Sequence, residues 1–100
     1  MTPYTVYVTP RTLREIKDLP GNVRQRIRHA IGQLADNPRP SNSKQVIVPA
    51  FERELRRLRL DSWRVVYAIT DSDALVDILA VRKRPPYDYG DLAQLLEDAR

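Results

Sequence analysis

The residues of this 100-residue chain whose types and spacing suggest chemistry are arginines and tyrosines. Four arginines occupy nine positions at the start of RRLRLDSWRVVY, residues 56–67, and a second basic run, RKRPPYDY, spans residues 82–89. Arginine presents its donors in a rigid fork that binds phosphate, and tyrosines beside cations offer stacking surfaces and hydroxyl groups. Both runs therefore predict an anion-binding site, with a phosphodiester as the natural ligand.

The composition limits the classes of function open to the chain. One hundred residues suffice for one core, and the lack of cysteine excludes disulfides, thiol catalysis and thiolate metal ligands. Because the sequence has neither 18 consecutive apolar residues nor the apolar region of a signal peptide, we expect a cytoplasmic protein without a membrane span. The net charge of +4 is uneven: residues 1–67 carry 13 Lys/Arg against 6 Asp/Glu, and residues 68–100 carry 4 against 7.

Other common catalytic arrangements find little support. His29, the only histidine, falls on a predicted helix away from the arginines, where a surface position is expected. The aspartates at positions 71, 73 and 77 lack metal-ligand spacing, and three scattered glycines cannot build a phosphate-cradling loop. We therefore expect no cofactor and no metal.

Hydrophobic periodicity predicts one α+β domain spanning residues 1–100. The predicted elements are, in chain order, a strand at 4–8, helices from Pro10 to Leu19 and from Val23 to Leu34, a short extended piece at 46–48, strands at about 53–60, 63–70 and 74–83, and a terminal helix at 91–99. The last strand is almost continuously apolar, which is typical of a strand covered on both faces.

The turn at residues 61–62 sets the register of the central hairpin. With a two-residue loop, Leu60 pairs with Trp63 and Arg59 pairs with Arg64. Side chains alternate along a strand, so one face becomes the core face. Its predicted members are Leu58, Leu60, Trp63, Val65, Tyr67 and Ile69.

The other face of the hairpin carries Arg57, Arg59 and Arg64, here named the arginine patch, and we expect this face to be open. Like charges directly opposed across strands are destabilising, so the patch predicts a bound anion. The alternative is neutralisation by nearby acids, for which Glu52, Glu54 and Asp61 are the candidates. The chain also carries Arg82 and Arg84 at positions of equal parity, so both can reach one face of the last strand.

The order of elements, the R-x-L-R-L-x-S-W-R-V-V-Y hairpin and the V-R-K-R-P-P-Y ending together resemble the RelE/ParE superfamily of bacterial toxin–antitoxin toxins. The resemblance implies a small α+β fold in which two N-terminal helices pack on an antiparallel sheet. RelE-like members cleave messenger RNA in the ribosomal A site without a metal. ParE-like members share the fold but inhibit DNA gyrase.

The resemblance also implies site residues. They are Arg57, Arg59, Arg64, Arg84, Tyr87 and Tyr89, the two tyrosines being alternatives for one role. Since RNA carries its own 2′-hydroxyl nucleophile, a tyrosine whose pKa is lowered by cations would act as base, and the hairpin arginines would clamp the phosphate. Arg84 would stabilise or protonate the leaving oxygen, with Lys83 as another candidate acid. The best-known members carry lysines on the hairpin, where this chain has Leu55 and Arg57.

Partners follow from the same resemblance. We expect a cognate antitoxin that covers the arginine face or displaces the 91–99 helix, the ribosome with its messenger RNA, and operator DNA only through the antitoxin complex. Two further interpretations stay open. One is a gyrase poison without an active site, and the other is a degenerate member that acts only as an antitoxin-bound co-repressor.

Overall fold

The computed structural model describes residues 3–49 and 51–83. The predicted helix at 91–99 lies outside these residues, as do Arg84, Tyr87 and Tyr89. The described elements are β1 (Thr5–Val8), α1 (Pro10–Lys17), α2 (Gly21–Gln33), β2 (Ser43–Val46), β3 (Glu54–Leu60), β4 (Trp63–Thr70) and β5 (Leu75–Lys83). Neither of the two described helices is long and apolar enough to cross a bilayer.

The described strands form one sheet in the order β1-β5-β4-β3-β2, which confirms the predicted α+β class. Strands β2 to β5 pair antiparallel, whereas β1 pairs parallel with β5. A parallel pair needs a long crossover, and both helices lie in the chain between these two strands. The two helices therefore cover one face of the sheet, here named the helix face.

The predicted hairpin register is confirmed. Leu60 pairs with Trp63 and Arg59 pairs with Arg64, and Asp61 in the turn has a positive φ of 54°. Farther along, Leu79 is an extra residue on β5, because its neighbours on either side pair with adjacent residues of β4. This bulge shifts the alternation of β5 by one residue.

The helix face holds the main core. Tyr67 is fully buried there, and its hydroxyl donates to the Pro38 carbonyl at 2.7 Å. The core cluster contains Ile16, Ile27, Ile31, Leu34, Leu58, Val65, Tyr67, Ile69, Val76, Ile78 and Val81, with Leu60 and Trp63 packed against it. All six hairpin residues predicted for the core face are therefore in or against this cluster.

The start of α1 is tied to β5 by two threonines. Thr9 is the N-cap, and its side chain accepts a hydrogen bond from the Thr12 backbone N–H at 3.3 Å. The Thr12 hydroxyl donates to the Ile78 carbonyl of β5 at 3.1 Å. A buried pair of hydroxyls, 2.7 Å apart, thus fixes the first turn of the helix against the sheet.

The opposite face of the sheet, here named the arginine face, is not open along its length, so that expectation was wrong. A second apolar cluster fills its middle, and its members are Leu55, Val66, Ala68, Leu79 and Ala80, each at most 1% exposed. The residues packed against them are Val46, Val48 and Phe51. Alternation identifies which residues share a face, but it does not reveal that a distant chain segment covers that face.

The short extended piece was misplaced. The strand comprises Ser43–Val46 and not residues 46–48, and Ile47 is 77% exposed. Polar residues form this strand because β2 lies at the sheet edge, where backbone pairing with β3 determines the conformation. The effect for the arginine face is to bring Lys44 opposite Arg57.

Candidate anion-binding site

Three arginines lie side by side across the sheet. Arg64 of β4 is opposite Arg59 of β3 on one side and opposite Arg82 of β5 on the other. We name these three residues the arginine row. The bulge at Leu79 is what gives Arg82 the same face as Arg64. The sequence placed Arg82 in the second basic run of the predicted anion-binding site, but its position opposite Arg64 could not be predicted because the register of β5 against β4 depends on the bulge.

Arg64, at the centre of the row, is buried and not exposed as the predicted patch required. Only 4% of it is accessible to solvent. Its Nη1 donates to the carbonyls of Asp61 and Trp63, each at 2.8 Å. The guanidinium therefore folds back onto the hairpin turn and fixes a positive charge beneath it.

Arg59 is the exposed end of the row. Its backbone is held by the residue just before β2: the Arg59 N–H donates to the Asn42 carbonyl at 2.9 Å, on the same side of β3 as β2. The Asn42 side-chain amide donates in return to the Arg59 carbonyl, also at 2.9 Å. Arg57 lies two residues earlier, half-buried and beside exposed Lys44. The loop before β2 thus makes this end of β3 rigid.

Arg82 lies at the other end of the row, with its side chain 25% exposed. Glu15 of α1 contacts this end of β5 twice: its Oε1 accepts from the Val81 N–H at 3.0 Å, and its Oε2 is 3.3 Å from the Arg82 Nε. Because β1 pairs with β5 only up to Ile78, Glu15 takes the place of a strand partner beyond that point. The carboxylate therefore orients Arg82 from the β1 side of β5.

Two of the acids predicted as possible neutralisers are engaged by cations outside the arginine patch. Glu54 contacts Arg39 and Arg56, with oxygen–nitrogen distances of 2.8 and 2.9 Å. Asp61 forms an ion pair with Arg26 of α2, which ties the hairpin turn to the helix layer. Glu52, the third candidate, is exposed.

A polar network that sequence reasoning missed lies at the other end of β3. The Tyr4 hydroxyl donates to Asp71 at 2.5 Å, and Arg39 joins Asp71 to Glu54. The Tyr4 and Arg39 contacts lower the pKa of Asp71, and Arg39 followed by Arg56 lowers the pKa of Glu54. The hydrogen bond to Asp71 raises the pKa of Tyr4. Arg39 lies in the loop between α2 and β2, whose sequence has no hydrophobic periodicity, so its contacts with Asp71 and Glu54 could not be predicted from the sequence.

Arg56 shows how the same network reaches the helix face. Its parity places it there, opposite Tyr67, as the alternation predicted. Its Nε donates to the Ser43 hydroxyl at 3.0 Å, and its Nη1 donates to Glu54 at 2.9 Å. Burial raises the pKa of the Tyr67 hydroxyl. We assign this network a structural role, since Glu54 and Arg59 are separated along β3 by roughly 17 Å.

The row contains two of the predicted site residues, Arg59 and Arg64, and Arg57 lies beside it on the same face. Arg57, Arg59 and Arg64 share the arginine face. The roles expected of Arg84, Tyr87 and Tyr89 fall outside residues 3–49 and 51–83. Within those residues, no group of three or more His, Asp or Glu side chains is arranged to hold a metal ion.

A sheet with two N-terminal helices on one face and arginines crossing the other defines the class of RelE/ParE toxins. The sequence model described as the ParE toxin of the type II toxin–antitoxin system, parDE, matches residues 6–85. The chain belongs to this family, and it is a toxin of a toxin–antitoxin module.

Individual relatives agree with this assignment. The RelE1 protein of Methanocaldococcus jannaschii is 26% identical over 81 residues, covering 81% of this chain and 90% of that protein. The toxin–antitoxin complex RelBE2 of Mycobacterium tuberculosis contains a chain with a TM-score of 0.69 and 28% identity, covering 84% of this chain and 94% of its own. The archaeal RelE–RelB complex of Pyrococcus horikoshii gives a TM-score of 0.75 at 23% identity, covering 87% and 100%. At 23% identity, this last comparison shows only that the two chains share a fold.

Proposed function

We propose that this toxin is a metal-independent endoribonuclease that cleaves messenger RNA on the ribosome, in the cytoplasm. The observation that carries the proposal is the arginine face near the hairpin turn, where exposed Arg59 and half-buried Arg57 of β3 lie beside the fixed charge of Arg64 on β4. A polyanionic backbone is the ligand that such a surface binds best. The relatives named RelE support RNA as that polyanion, because RelE-like members are the branch of the family to which the resemblance assigns cleavage of messenger RNA.

The proposed division of roles follows from position. Arg57 and Arg59 would contact the phosphate, because they reach solvent on the arginine face. Arg64 would contribute through its field, since a buried guanidinium is weakly screened and costs no reorganisation during the reaction. RNA supplies its own 2′-hydroxyl, so the protein needs only a base and an acid beside these charges.

The base and the acid are assigned by resemblance. Tyr87 or Tyr89 would accept the 2′-hydroxyl proton, and the attacking oxygen would then form a bond to phosphorus while the 5′-oxygen leaves. Arg84 would stabilise or protonate that leaving oxygen, and Lys83 is the alternative acid. Arginine is a weak acid at neutral pH. We therefore propose that the ribosome supplies the distortion of the RNA that these groups alone would not produce.

We further propose an antitoxin partner with an acidic or amphipathic segment. The solved neighbours from Pyrococcus horikoshii and Mycobacterium tuberculosis are toxin–antitoxin complexes, which supports a partner of this kind. A negatively charged segment would neutralise the exposed charges of the arginine face. Operator DNA would be bound only through the antitoxin.

The test is primer-extension mapping of a messenger RNA in a reconstituted translation system. Wild-type protein is compared with Arg59→Ala, Arg64→Gln and the pair Tyr87→Phe and Tyr89→Phe, with Arg28→Ala as a matched control for the two arginine variants. Arg28 is exposed on α2, so its loss changes the net charge equally without altering the arginine face. Cleavage that requires ribosomes, is retained by the control and is lost in the site variants is the expected result. Intact RNA at concentrations of wild-type protein that stop growth would refute the nuclease.

A second candidate, inhibition of DNA gyrase, has one observation in its favour: the matching family description is that of ParE toxins. In that case the arginine face would be a protein-binding surface, and both tyrosines would be dispensable. A supercoiling assay with purified gyrase separates the two functions. Inhibition of supercoiling that persists in the double tyrosine variant would favour the gyrase function over the nuclease.

A further inference from the structure

We propose that Arg82 is a second phosphate-binding residue of this surface, and that it contacts a different phosphate of a single-stranded RNA from the one at Arg59. The inference rests on the proposed function, since it assumes that RNA is the ligand. The sequence placed Arg82 only in a basic run near the predicted site, and the family resemblance did not include it among the site residues; the inference gives it a specific contact.

The spacing of the row is the first argument. Arg59 and Arg82 belong to strands on either side of β4, so their backbones are two strand spacings apart, roughly 10 Å. Between them, Arg64 is buried and bonded to the carbonyls of the hairpin turn. The charges that solvent reaches are therefore those at the two ends of the row.

The direction of the Arg82 side chain is the second argument. Glu15 contacts β5 on the side of β1, where it accepts from the Val81 N–H, and its other oxygen lies 3.3 Å from the Arg82 Nε. This contact holds the Arg82 Nε on the β1 side of β5, the side opposite to β4 and Arg59. Two arginines held on opposite sides of β4 suit two successive phosphates of a strand crossing the sheet better than they suit one shared phosphate.

The Glu15 contact also has a purely structural interpretation. The ion pair joins α1 to β5, and a role in folding would appear as a change in thermal midpoint alone. A role in binding RNA would instead change the salt dependence of the affinity, because each phosphate that the protein neutralises releases counterions. For single strands, each such contact contributes about 0.7 to the slope of log K against log salt concentration. The salt slope is therefore the quantity to measure.

The experiment is fluorescence anisotropy of a labelled, 2′-O-methylated single-stranded RNA, titrated with full-length protein between about 50 and 200 mM salt. We expect Arg82→Ala to reduce the salt slope by about 0.7 and the affinity about fivefold near 0.1 M salt. Arg82→Lys retains the charge and should retain the slope. Arg82→Gln keeps a side chain that can still contact Glu15, so it serves as the second neutral variant if Arg82→Ala fails to fold.

The double variant Arg59→Ala with Arg82→Ala decides between one phosphate and two. Separate phosphates predict that the two losses add, to about 1.4 in slope. A shared phosphate predicts little change in either single variant and a loss of about 0.7 in the double variant, which would overturn the inference. The inference would also be overturned if Arg82 made no contribution. In that case a neutral Arg82 variant would have the same salt slope as the control Arg28→Ala, and the double variant would have the same salt slope as Arg59→Ala. If the wild-type protein shows no salt-dependent binding of RNA, the proposed function itself is refuted.

Discussion

Arg59 and Arg64 are directly opposed across β3 and β4, yet only Arg59 reaches solvent. Paired residues of adjacent strands have Cβ atoms about 5 Å apart, a distance at which like charges repel. The Arg64 guanidinium donates to the Asp61 and Trp63 carbonyls, which offset part of its charge at the hairpin turn. The hairpin thereby tolerates two arginines in register, because one of them is bonded to backbone carbonyls.

The two arginines should respond differently to truncation. We expect Arg64→Ala to lower the free energy of unfolding by about 2 kcal/mol, because it removes charge-assisted hydrogen bonds from a buried position. Arg59→Ala should change it by less than about 0.5 kcal/mol, as is usual at exposed sites. Urea unfolding followed by circular dichroism measures both. Equal destabilisation by the two substitutions would contradict the buried position of Arg64.

The network around Arg39 predicts a pH dependence of stability. The pKa values of Asp71 and Glu54 are lower in the folded protein, because Tyr4 and Arg39 stabilise the Asp71 carboxylate and Arg39 stabilises that of Glu54. Groups with lowered pKa values stabilise the fold above their unfolded pKa values, near 4, and lose this contribution as the pH falls through the folded values. The urea midpoint should therefore fall between about pH 5 and pH 3.

Glu54→Gln tests the source of that dependence. The variant should have a lower urea midpoint than wild type near pH 7 and a smaller decrease on acidification. Asp73→Asn, which removes an exposed carboxylate from the neighbouring turn, is the matched control and should keep the wild-type decrease. If Glu54→Gln and wild type lose stability in parallel, the Arg39 contact is not the cause.

The cap of α1 should contribute measurably to stability. Thr9→Ala removes the oxygen that accepts from the Thr12 N–H, and we expect a loss of about 1 kcal/mol. Thr9→Ser keeps that oxygen and should recover most of the loss. Thermal or urea unfolding of the two variants beside wild type is the measurement. A serine variant as unstable as the alanine variant would assign the effect to the missing methyl group.

Replacing Ala74, which precedes β5, with glycine should stabilise the folded protein. It adopts a left-handed conformation, φ 48° and ψ 52°, which costs an L-residue with a Cβ about 1–2 kcal/mol. Part of this gain is offset because glycine is more flexible in the unfolded chain. We expect Ala74→Gly to raise the free energy of unfolding by about 0.5 kcal/mol. The same change at Ala30 inside α2 should lower it by about 1 kcal/mol, so the pair of unfolding curves should shift in opposite directions.

Local patterns in the sequence were sufficient for most of the fold. Alternating residues in β1 and β4, helical spacing in α2 and the Asp61–Ser62 turn predicted the elements and the hairpin register. These features depend on side-chain periodicity and turn geometry, which are local. The same reasoning failed for β2, whose conformation depends on pairing with β3 and not on its own residues.

The candidate site also has features that the sequence predicted and features that only the structure shows. The sequence by itself determined that Arg59 and Arg64 are opposed, because alternation and a two-residue loop leave one register. Only the tertiary structure decided that Arg64 is buried and that Arg82 completes the row, since both depend on contacts between strands and segments distant in sequence. A bulge at Leu79 inverts the faces of half a strand without any mark in its apolar pattern. Burial and the relative placement of charges are therefore properties of the assembled sheet.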